Sequence, residues 1–61
     1  MMIKIIKYII RANPPYGTGQ IDYFEYYNMF DAEKDYKDLL KWGYTEVSLI
    51  KQEITETHIL P

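Results

Sequence analysis

The sequence predicts a small α+β fold, an antiparallel sheet with one helix packed across it in the order ββαβ(β). Three observations carry that reading: an isoleucine-rich amino-terminal run, a helix punctuated at both ends between Asp31 and Gly43, and extended, β-branched segments on either side of it. At 61 residues the chain holds one domain, residues 1–61. A fold of this size buries only about 60% of the surface its unfolded chain exposes, so its core is marginal.

Residues 2–11, MIKIIKYIIR, contain five isoleucines. A helix would gather Lys4, Lys7 and Arg11 into a basic stripe, the pattern of a membrane-surface segment. The strand is preferred, because branched side chains lose freedom against a helical turn and pack well on a pleated surface. Ile3, Ile5 and Ile9 then face one way and Ile6, Tyr8 and Ile10 the other, so both faces are expected to be at least partly covered. Paired prolines and two glycines make residues 12–20 a loop. A second strand is expected over residues 21–30, IDYFEYYNMF, which gathers five aromatic rings and alternates Tyr23, Tyr27 and Met29 with Phe24, Tyr26 and Phe30.

The helix is expected over residues 31–42. Asp31 can cap its first amides, and Ala32, Tyr36, Leu39 and Leu40 form one apolar stripe at i, i+4, i+7 and i+8. Gly43 stands where a left-handed cap is expected, with Tyr44 beside it. A further strand follows, and residues 51–61 keep strand character either as one long strand that bends or, as preferred, as an optional fourth strand after a short turn near residues 51–53.

Chemistry is sparse. Cysteine is absent, which excludes disulfides and thiol nucleophiles, and the single histidine cannot build a metal site alone. No metal and no cofactor are therefore expected. His58 reads as an exposed strand residue, and Ser48 lacks the turn that presents a nucleophile. The chain is expected not to be an enzyme. Tyr16-Gly17-Thr18-Gly19 contains a G-x-G step that could cradle a nucleotide phosphate, but no lysine follows and the next element reads as a strand. A hairpin connection is the stronger reading of that loop.

Charge separates candidate partners. Residues 1–20 carry three cations and no acid, whereas residues 21–61 carry nine acids and four lysines. Lys7 or Arg11 against Asp22 or Glu25 would form cross-strand pairs. An aromatic sheet could stack unpaired bases, yet the chain is net acidic and lacks the phosphate attraction such binders need. Nucleic acid is thus disfavoured, and nothing resembles an export signal or a bilayer span. Protein contact suits the rings better, since tyrosine and tryptophan bury rigid area at small entropic cost. Tyr23, Phe24, Tyr26, Tyr27, Trp42 and Tyr44 are the expected partner-binding residues, serving a homodimer contact and a second protein.

In size, acidity, tyrosine content and layout, with two strands, the helical segment DAEKDYKDLLKWGY (Asp31 to Tyr44) and another strand, the chain resembles small accessory proteins of bacteriophages and related mobile elements. The resemblance implies a homodimer in the cytoplasm of a bacterial host that binds, and by binding inhibits, a host protein or defence complex.

Overall fold

The computed structural model describes residues 1–17 and 19–60. Four elements follow in order: β1 (Met2–Asn13), β2 (Asp22–Tyr26), α1 (Met29–Lys41) and β3 (Thr45–Thr57). They form a three-stranded antiparallel sheet in the order β2-β1-β3 with the helix packed on it, an α+β architecture.

β1 is the centre of the sheet, and its partners differ greatly in reach. β3 runs beside it from Met2↔Thr57 to Asn13↔Thr45, with one irregularity between Arg11 and Asn13. β2 covers only Tyr8↔Tyr26 to Ala12↔Asp22. Residues 2–7 of β1 therefore have a neighbour on one side alone, and with residues 52–57 they form a two-stranded ribbon. Six residues at about 3.3 Å each project this ribbon roughly 20 Å beyond the three-stranded part. The molecule is accordingly long and thin, 46 × 25 × 14 Å, with a Cα radius of gyration of 14.7 Å. A compact chain of this length would have a radius near 10.5 Å.

The core is small and off-centre. Ile10, Ala12 and Leu39 are buried together, flanked by half-buried Phe24, Tyr26, Tyr36, Tyr44, Val47 and Leu49. Ala32, also buried, seats the first turns of the helix. All the β1 members of this cluster are even-numbered, so the helix covers one face of the sheet at one end. The register places Ile3, Ile5, Lys7, Ile9 and Arg11 on the opposite face with Ser48, Ile50, Gln52, Ile54 and Glu56 of β3 and Tyr23 and Glu25 of β2. No described element packs over that face. Both faces of β1 are partly covered, as expected, since Ile3, Ile5, Lys7 and Ile9 are half-buried among their sheet neighbours, but one helix of 13 residues spans only about 20 Å and sits on one side alone.

Three boundaries also differ from expectation. β2 ends at Tyr26 instead of continuing to residue 30, because Asn28 turns the chain into the helix. Its side-chain Oδ1 accepts from the amides of Phe30 at 2.7 Å and Asp31 at 3.4 Å. Asn28 is thus the N-cap, and Asp31 sits in the first turn where the helix dipole favours its charge. The turn expected near residues 51–53 does not form, since β1 offers an unbroken partner along the whole of β3. The fourth strand merges into the third.

The helix ends as its sequence predicts. Tyr44 N–H donates to the Leu39 carbonyl at 3.1 Å and Gly43 N–H to that of Leu40 at 3.4 Å, a Schellman closure with Gly43 at φ +88°.

Candidate protein-interaction surfaces

Strand alternation divides the expected site residues. Tyr23 stands opposite Arg11 on the bare face of the sheet, whereas Phe24 and Tyr26 stand opposite Ile10 and Tyr8 on the helix side. Phe24, Tyr26 and Tyr44 are half-buried against the core cluster. Their rings build the fold. Tyr23, Tyr27 and Trp42 remain outside, at 62%, 71% and 65% exposure. Phe30, at 74%, joins them because the helix begins two residues early and its first turn points that ring to solvent. Sequence reasoning placed Phe30 in a strand and so missed it as a surface anchor. The capping oxygen of Asn28 ahead of a helical run was the available signal.

Two polar features fix the buried rings. The Tyr26 hydroxyl donates to Asp35 Oδ2 at 2.6 Å, which ties β2 to the second turn of the helix. Burial pushes that hydroxyl well above the usual tyrosine range, followed by the hydrogen bond and charge of Asp35 and the charge of Asp31. Tyr44 is pushed up to about 12, first by its side-chain hydrogen bond with Tyr16, then by desolvation and by the charges of Tyr16 and Asp22. Both phenols are therefore neutral at any physiological pH.

The second of these bonds also decides how the Pro14–Gly19 loop is used. Gly17 N–H closes a turn on the Pro14 carbonyl at 3.3 Å, and Gly17 and Gly19 take φ of +56° and +78°. Pro14 is buried, and Pro15 Cβ lies 3.5 Å from where a side chain on Gly43 would begin. The loop packs on the helix terminus, with Tyr16 held by Tyr44 and the Asp22 carboxylate adding negative charge nearby. That charge opposes a phosphate. Of the four nucleotide-site residues, Tyr16 stands beside Tyr44, Gly17 closes the turn on Pro14, Gly19 is exposed, and Thr18 lies outside the described residues.

Ion pairs follow the expected charge split. Lys7 Nζ meets Glu25 Oε2 at 3.4 Å across β1 and β2. Lys4 and Lys51 both approach Glu53, each at 3.5 Å, and Lys4 foremost, then Lys51, hold its carboxyl below the usual glutamate range. The chain ends are joined: His58 N–H donates to the Met1 carbonyl at 2.7 Å, and the His58 ring pairs with Glu56 at 3.2 Å. His58 is thus half-buried just past β3 instead of an exposed strand residue.

Ser48 lines a shallow cleft of about 250 Å³ with Arg11, Ala12, Asn13, Ile21 and Glu46, where Glu46 adopts φ +51° beside the sheet irregularity. Ten residues of extended chain separate Ser48 from His58, roughly 33 Å, so the two cannot act on one substrate atom. Among the described residues no three His, Cys, Asp or Glu side chains converge as metal ligands, and no helix is long and apolar enough to cross a membrane.

No protein-family model matches the chain, and neither a curated protein nor a solved structure does.

Proposed function

We propose that this chain is a non-enzymatic protein-interaction module, an accessory protein of the bacteriophage or mobile-element type that works as a homodimer in a bacterial cytoplasm. It binds a host protein or defence complex and inhibits it by occupying its surface. The observation that supports the reading is the exposure of Tyr23, Tyr27, Phe30 and Trp42, each more than three-fifths open to water. A ring of this size buries about 150–250 Å² when covered. Four rings left open amount to roughly 500 Å² of exposed aromatic surface, shared between the sheet face away from the helix and the two ends of the helix. Aromatic side chains of this kind are the anchors that carry binding energy at interface centres.

The test is capture. Immobilised protein is expected to retain a host protein in stoichiometric amount, and Tyr27→Ala and Trp42→Ala are each expected to weaken retention at least tenfold with far-UV circular dichroism unchanged. Retention that survives both substitutions, or retention of nucleic acid in place of protein, would remove the reading.

A further inference from the structure

Building on the homodimer reading, we propose that the two copies meet through the bare face of the sheet, isoleucine stripe against isoleucine stripe. Ile3, Ile5 and Ile9 of β1 and Ile50 and Ile54 of β3 lie together on this face, as the pairs Ile5↔Ile54 and Ile9↔Ile50 fix. Ile3, Ile5, Ile9 and Ile54 are half-buried among their sheet neighbours and Ile50 is 36% exposed, and no described helix or strand packs over them. The same ribbon presents a different character on its other side, where Lys4, Lys51, Glu53 and Thr55 surround a single isoleucine, Ile6, and three of them are joined in ion pairs. A ribbon that only had to extend into water would be polar on both sides. This one is polar on one side, and on the other sets Lys7, Gln52 and Glu56 among its isoleucines.

The area agrees with an absent cover. A compact monomer of 7.4 kDa exposes about 4,200 Å², whereas this chain exposes 4883 Å². The excess, roughly 700 Å², belongs to the projecting ribbon as a whole, both faces and the open edge of β1 included, where a stable interface takes ~800 Å² from each partner. Five buried residues among those described are also few for a chain of this length, and small folds commonly complete their core by association.

The stripe is self-complementary, which is what selects a second copy as the occupant. A two-fold axis running along the strands between β1 and β3 carries each β1 position onto a β3 position of the facing sheet. Ile5 then lies over Ile54 of the second copy and Ile9 over Ile50, at the ~10 Å spacing of stacked sheets. Lys7 faces Gln52, Arg11 faces Ser48 and Ile3 faces Glu56, so no like charges are stacked. Edge-to-edge addition is the less favourable contact, since the open edge of β1 carries Lys4 and Lys7, the residues that discourage strand pairing.

Light scattering from micromolar to 0.1 mM tests this. Wild type is expected at twice its 7.4 kDa chain mass. Ile50→Lys and Ile54→Lys are each expected to raise the dimer dissociation constant at least tenfold. Ile6→Lys, at 37% exposure against 36% for Ile50 but on the other face, should leave it unchanged. Because lysine in the stripe could disturb the sheet, the conservative pair Ile5→Cys and Ile54→Cys provides a second reading in a chain with no other cysteine. A short bismaleimide should join a mixture of the two single variants more than either alone. A wild-type monomer would overturn both the homodimer reading and this interface. A dimer that resists the stripe substitutions and yields no mixed crosslink would overturn the interface alone, leaving the capture result as it stands.

Discussion

Leu39→Ala is the sharpest test of where the core lies, because Leu39 and Leu40 are neighbours in one sequence stripe yet differ in burial, 4% against 50% exposed. Truncating a fully buried leucine costs about 2–5 kcal/mol, the lost transfer energy together with the cavity left behind. Leu39 packs on Ile10 and Ala12, which β-sheet pairing holds in place, so collapse around the cavity is restricted and the upper half of that range applies. A 61-residue chain has a total stability of roughly 3–9 kcal/mol, taking about 0.05–0.15 kcal/mol per residue. The substitution therefore removes about two-fifths or more of what is available. Leu40→Ala should cost under about 1 kcal/mol. Urea unfolding followed by far-UV circular dichroism reads the difference; with a slope near 1 kcal/mol/M for so small a chain, the Leu39 midpoint should fall by 2 M or more. Comparison belongs at one protein concentration, since association adds to apparent stability. Midpoints for the two variants within about 0.5 M of each other would refute the placement of the helix.

Four further outcomes follow from the caps and the tyrosines. Asn28→Ala removes the oxygen that accepts from Phe30 and Asp31 and should cost about 1 kcal/mol in the same urea assay, whereas Asp31→Ala should cost less. Gly43→Ala should cost about 1–2 kcal/mol; the new methyl meets Pro15 at an ordinary 3.5 Å, so the cost comes from the left-handed backbone at φ +88°. Tyr26→Phe should cost about 1 kcal/mol, a charge-assisted bond discounted for its half-exposed site. The pH dependence has a definite sign: Tyr26 and Tyr44 titrate higher folded than unfolded, so their contribution is complete below about pH 10 and is lost as pH rises through the raised values. Urea midpoints should be level from pH 8 to 9.5 and fall by pH 11, less steeply in Tyr26→Phe.

What could be read in advance was whatever depends on neighbours along the chain. The isoleucine run had to be a strand, Gly43 had to cap a helix, and the alternation at Tyr23, Phe24 and Tyr26 had to split those rings between two faces, because branching, backbone freedom and a period of two are local properties. Local signals failed where two readings were both acceptable. Asp31 and Asn28 can each cap a helix, and the choice moved Met29 and Phe30 out of β2 and onto the surface. Residues 51–53 lack any obligatory turn residue, so their conformation depended on whether β1 was long enough to pair with them.

The distribution of burial was decided only by the tertiary arrangement. Which of six rings would be packed and which left open rests on the side of the sheet the helix takes, and no property of a single ring records that. The isoleucine face without a helix has the same origin: Ile5, Ile9, Ile50 and Ile54 are 40 or more residues apart across the two strands, and only the long β1–β3 register brings them into one stripe on the side away from the helix. Sequence determined that these segments are strands with apolar sides; the side of the sheet on which the helix packs determined which of those sides has no helix over it.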